Sequence, residues 1–168
     1  MSIQPSKPRN PIDTRTRIGH IHLKVSNLER SVKFYRDILG FEVTSTIGNE
    51  AAFLSAGGYH HHIGLNTWES KDGHPPSMGT TGLYHFAILL PERKELARVL
   101  KRLNDNRWPI EGGADHGVSE AIYLRDPDQN GIELYVDRMR IDWPRDENGV
   151  LTMYTRPLDI KALLKEAE

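Results

Sequence analysis

One arrangement of residues occurs twice along this chain, and a chain that repeats a module must fold as a pair of like units. Ile18 to Val25 alternates: Ile21, Leu23 and Val25 point to one face, His20, His22 and Lys24 to the other. Ser26 stands three residues before Glu29, the spacing of a helix capping box. Leu28, Val32, Tyr35, Ile38 and Leu39 follow at helical spacing, and Gly40 is placed to end the helix. Phe41–Thr46, Ala51–Ser55 and His60–Asn66 read as strands separated by Gly48-Asn49 and Gly57-Gly58 turns. These make a βαβββ unit over residues 17–67. The order returns over residues 82–137. Leu83–Leu90 reads as a strand, and a helix follows with Leu96, Val99, Leu100 and Leu103 inward. Then come a short segment at Trp108–Ile110, a loop through Gly112–Gly117, and strands Glu120–Arg125 and Gly131–Asp137 around a turn-forming Asp126–Asn130. His20 and His85 hold equivalent places in the two first strands, 65 residues apart.

Each unit is a sheet with one face under a helix, so its other face needs a cover. An α+β class is expected, with the two tandem βαβββ units forming one cupped mixed-sheet barrel. Residues 1–16, with Pro5, Pro8 and Pro11, read as a flexible N-terminal arm. A single domain then spans 17–140. The extension over 141–168 carries Trp143, Met153, Leu158, Ile160, Leu163 and Leu164, enough apolar surface to pack on the domain or on a partner subunit. A homodimer is the expected assembly.

If the helices cover the apolar strand faces, His20 and His85 point into the cup. Glu133 joins them, because Ile132, Leu134 and Val136 belong under the helix. Two imidazoles and a carboxylate on neighbouring strands form the set that binds Fe(II) facially and leaves positions open for substrate and O2; Mn(II), Ni(II) and Zn(II) suit the same donors. His62 falls where the repeat places Glu133 and is either a fourth ligand or a general acid/base. Tyr123 points inward on its strand, to hydrogen-bond a substrate oxygen or to pack. His116, in the glycine-rich loop, is a weaker candidate.

Composition narrows the classes further. The 168 residues carry 22 basic and 23 acidic side chains and a net charge of -1, which gives no electrostatic case for nucleic acid or an anionic membrane. The absence of cysteine excludes disulfides and thiolate chemistry. No apolar run approaches the ~20 residues of a membrane span, and the first residues lack the apolar stretch of a secretory signal. A cytoplasmic protein is the expectation.

The segments RIGHIHLKVSNLERSVKFYRDILGFEV, LYHFAI and DPDQNGIELY together resemble the vicinal oxygen chelate superfamily of glyoxalases, fosfomycin- and bleomycin-resistance proteins and extradiol dioxygenases. The resemblance covers roughly residues 17–140. AAFLSAGGYHHHIGLNTW, DHGVSEAIYLRDP and the tail DWPRDENGVLTMYTRPLDIKALL narrow it to catechol 2,3-dioxygenase-like proteins. That resemblance implies an Fe(II) centre on His20, His85 and Glu133, an acid/base at His62 (His61 is one register step away), a substrate contact from Tyr123 and a supporting role for His116. It implies ring cleavage of a small aromatic diol by O2. Many such enzymes hold two tandem domains, and this chain reads as one. Two alternatives share the fold: a glyoxalase-like metal-dependent lyase, isomerase or transferase, and a non-catalytic small-molecule binder.

Overall fold

The computed structural model describes residues 6–167. Of the expected arm, residues 1–5 lie outside that range; residues 6–16 are exposed and form no helix or strand.

The first unit opens with β1 (Ile21–Lys24). Asn27, not Ser26, caps the helix that follows: its side chain accepts from the Arg30 N–H at 2.9 Å. Helix α1 (Leu28–Lys33) widens into a π-helical turn over Phe34–Ile38, where the Leu39 N–H reaches back to the Phe34 carbonyl. The wider turn buries Phe34, Tyr35, Ile38 and Leu39 together. Strands β2 (Glu42–Ile47), β3 (Ala51–Ser55) and β4 (Ile63–Asn66) complete the unit. Parallel pairing of β1 with β4 gives the order β1-β4-β3-β2.

The second unit repeats this plan. Strand β5 (Phe86–Leu89) precedes α2 (Arg93–Asp105), then β6 (Ile110–Asp115), β7 (Ser119–Arg125) and β8 (Gly131–Asp137). The segment expected as a loop from Gly112 is strand up to Asp115. The register of β6 against β7 slips between Ile110 and Gly112, and this bulge accommodates glycines that on sequence alone suggest a turn. A two-residue strand β9 (Arg156–Pro157) adds to the outer edge of β6, giving β5-β8-β7-β6-β9. Helix α3 (Ile160–Lys165) then packs on α2 with Leu163 fully buried.

The expected barrel does not form: among the described residues the strands make two open mixed sheets, and neither closes. The physical reason lies in how the units join. Leu23, Phe34, Leu54, Leu96, Leu103 and Ile122 belong to one core cluster, so the helix-covered sides of both sheets share their burial. Each such side chain contributes roughly 1.5–3 kcal/mol on leaving water. Polar contacts fasten the same side. Arg102 donates to the carbonyls of Ile38 and Leu39 at 2.9 and 2.8 Å, and Tyr35 donates to Asp126 at 2.8 Å. The units are thus joined through their helices, and the opposite sheet faces stay open.

Candidate metal centre

The open face of the second sheet gathers four of the expected residues. Glu133 lies beside Ala87 on β5 and opposite Tyr123 on β7. His85, just before β5, brings Nε2 to 3.1 Å from Glu133 Oε2. The Tyr123 hydroxyl donates to Glu133 Oε1 at 3.0 Å and lies 2.7 Å from His116 Nε2. Burial, and then the neighbouring carboxylate, push the Tyr123 phenol well above its ordinary value, so it acts as a neutral hydroxyl. All four side chains are partly buried.

His20 belongs to the other sheet. Its ring lies 4.3 Å from that of His61, centroid to centroid, and His60 Nδ1 contacts His61 Nδ1 at 2.7 Å. Burial first, then the neighbouring His20 and His60, lower the His61 pKa from the usual imidazole value. His22 stacks above Gly64, where a Cβ would meet its ring at 2.9 Å. His62 is placed differently from the alternation pattern. Strand β4 begins only at Ile63, so the chain bends through the three histidines, and His61 takes the place against His20. His62 Nδ1 lies 3.1 Å from Ser55 Oγ and accepts from the Ala56 N–H at 3.3 Å. Its ring lines a 650 Å³ cavity between the two units, together with Phe41, Ile63, Phe86 and Leu134.

The donor chemistry suits a divalent metal in part. Two ligands ~2.1 Å from a metal and at right angles stand about 3 Å apart, and the His85–Glu133 separation of 3.1 Å matches that. A third ligand does not join them. Among the described residues no three His, Cys, Asp or Glu side chains converge as a metal ion requires. His85 and Glu133 meet beside the second sheet, and His20 lies at the start of the first. The partners on the far side of His116 had no sequence signal: Nδ1 lies 3.1 Å from the main-chain carbonyl of Tyr154 and 3.3 Å from Thr155 Oγ1.

Paired βαβββ modules with an imidazole–carboxylate pair on an open sheet face define a class of metal-assisted enzymes acting on small substrates. The chain belongs to the Glyoxalase/Bleomycin resistance protein/Dioxygenase superfamily, the vicinal oxygen chelate group, whose family model matches residues 17–134. It is 45% identical over 153 residues to catechol-2,3-dioxygenase of Bacillus subtilis (strain 168), a match that covers 90% of this chain and 52% of that protein. It is 32% identical over 124 residues to biphenyl-2,3-diol 1,2-dioxygenase 3 of Rhodococcus globerulus, covering 72% and 63%. The chain thus spans between half and two thirds of the length of these relatives. Among solved structures, a glyoxalase/dioxygenase from Nostoc punctiforme superposes with a TM-score of 0.64 at 20% identity, covering 81% of this chain and 100% of that one, a likeness of fold.

Proposed function

We propose that this chain forms a metal-dependent extradiol-type dioxygenase that cleaves a small aromatic diol with O2. The observation that carries the reading is the His85–Glu133 pair at 3.1 Å with Tyr123 and His116 behind it. The names of the two relatives, a catechol and a biphenyl-diol dioxygenase, support the substrate class. Fe(II) is the metal we favour, with Mn(II), Ni(II) or Zn(II) as the alternatives for the same donors. The third ligand is His20, supplied by a second copy in a homodimer, because His20 stands on the other open sheet of its own chain. When bound, the metal would supply Lewis acidity and an electron path between a chelated diol and O2.

The protein's own groups handle position and protons. Tyr123 hydrogen-bonds a substrate oxygen. His61, with a lowered pKa beside His20, is neutral near pH 7 and able to take a proton from a diol. His62, at the repeat position of Glu133, has its Nδ1 already engaged by the Ala56 N–H, which leaves it only Nε2 for the same role.

The test is metal analysis on protein prepared without air, coupled to O2 uptake across a catechol panel. Stoichiometric metal with uptake is expected, and His85→Ala and Glu133→Ala should each lose the metal. Co-expressing His20→Ala with Glu133→Ala should restore about a quarter of the wild-type sites by random pairing. Metal without O2 uptake would replace the dioxygenase reading with lyase, isomerase or transferase chemistry. No recovery in the mixed protein would overturn the shared centre.

A further inference from the structure

The C-terminal segment reaches the candidate site at His116. After the domain ends, the chain turns back and lays Arg156 and Pro157 along β6, opposite Asp115 and Ala114. The Leu158 N–H donates to the Gly113 carbonyl at 3.1 Å, which continues the attachment. Just before this pairing, the Tyr154 ring lies over Gly117. That glycine has φ +77°, and a Cβ there would meet the Tyr154 ring at 2.7 Å and Pro144 at 2.8 Å. The Arg156 guanidinium covers the same ring at 4.2 Å. The segment is therefore held on both sides of His116 by strand pairing, ring packing and a cation over the ring.

Its consequence follows from counting donors and acceptors. A main-chain carbonyl only accepts, so the contact between Tyr154 O and His116 Nδ1 at 3.1 Å is a hydrogen bond only with the hydrogen on Nδ1. In the neutral ring Nε2 is then bare. It faces the Tyr123 hydroxyl at 2.7 Å, and that hydroxyl also faces Glu133 Oε1 at 3.0 Å. One hydroxyl hydrogen stands between two acceptors. If Glu133 turns its lone pairs to a metal, the hydrogen passes to His116, and the Tyr123 oxygen is free to accept from a substrate hydroxyl. Were the tautomer reversed, Nε2–H would donate to Tyr123, Tyr123 to Glu133 and the Thr155 hydroxyl to Nδ1, and the Tyr154 carbonyl would lose its partner on the ring.

We infer that the segment 152–157 is a positioning element: its Tyr154 carbonyl fixes His116 as the Nδ1–H tautomer and so sets the direction of the hydrogen bond at Tyr123. Thr155, 3.3 Å from Nδ1 through Oγ1, closes the same side of the ring. The inference rests on the proposed function only for the use to which Tyr123 is put; the tautomer itself requires neither metal nor substrate.

Nitrogen-15 NMR of histidine-labelled, metal-free full-length protein tests it, with the His116 signals assigned by their loss in His116→Gln. A bare Nε2 and a protonated Nδ1 are expected. Tyr154→Phe keeps the carbonyl and the ring, and should preserve that signature. Tyr154→Ala should loosen the segment and mix the tautomers by several-fold. Should Tyr154→Ala not fold, Arg156→Ala removes only the cation over the ring and is read the same way. A dominant Nε2–H tautomer in the wild type, or an unchanged tautomer ratio in the folded loosened variant, would overturn the inference. Failure of O2 uptake would leave these spectra as they are, so the two readings fail separately.

Discussion

Gly131 leaves no room for a side chain. A Cβ at this first position of β8 would sit 2.2 Å from the Tyr84 carbonyl oxygen and 3.0 Å from His85 Cβ. The carbonyl is main chain and cannot swing aside, so Gly131→Ala must shift the approach to β5 that aims His85 at Glu133. The variant is expected to lose roughly 1–3 kcal/mol of stability and to bind metal more weakly than that loss alone explains. Urea unfolding and metal titration on the same samples check both. Alternation places Glu133 on the side of β8 opposite Ile132 and Leu134, because a two-residue period is a property of the strand itself, while His20 and His85 stand one residue before β1 and β5. It misplaces the three adjacent histidines, since where β4 begins depends on pairing with β1 and β3 and on the bend before Ile63.

At the scale of the element, the turn between β7 and β8 closes on the start of α1. Asp128 accepts from the Ser26 N–H at 3.0 Å and from Ser26 Oγ at 2.6 Å. It also takes Ser31 Oγ at 3.0 Å and the Arg30 guanidinium at 2.7 Å. This is why Ser26, placed by its spacing in a capping box, leaves the cap to Asn27: its hydroxyl serves a residue 102 positions away. Local spacing carries no trace of such a partner. Asp128→Ala would strand several donors and is expected to cost about 2–3 kcal/mol, read by denaturant midpoint. Burial works to raise the Asp128 pKa, but the hydrogen bonds from Ser26 and Ser31 and the charge of Arg30 outweigh it and hold it below the usual value. A depressed folded-state pKa gives stability that is fully present above the unfolded value near ~3.9 and lost as pH falls through the folded one. Asp126 has the opposite sign: burial raises its pKa, against hydrogen bonds from Asn130 and Tyr35, so its contribution favours lower pH. Asp128→Asn should therefore be less stable than wild type at pH 6 and should lose less of its stability on going below pH ~4. A variant whose acid-side loss matches that of wild type would show that other carboxylates control it.

For the whole molecule, the demand that each sheet cover its second face was legible, since an amphipathic sheet under one helix always poses it. What was not legible is who provides the cover. The same hydrophobic pattern serves a module that folds over its own neighbour and one that meets another chain. The choice rests on the shared core between the helices and on Arg102, Tyr35 and Asp128 at the joint. With the units fixed side by side, Ala87 and Leu89 stay exposed on the face that carries His85, as His20 and His22 do on the other sheet.

If a metal draws His20 of one copy to His85 and Glu133 of another, metal affinity and dimer affinity are one coupled quantity, and each must strengthen the other by the same factor. The dimer should then dissociate on dilution at a protein concentration at least about tenfold higher in chelator than in saturating metal, a coupling of about 1.4 kcal/mol or more. Sedimentation across a dilution series, run both ways, measures it. His20→Ala should keep the chelator curve and lose the shift, because it removes a ligand without touching the shared core. Identical curves for the wild type with and without metal would mean that the ion, where bound, is held within one chain. His20 would then have to cross to the other sheet of its own molecule, against the joint that Arg102 and Asp128 hold closed.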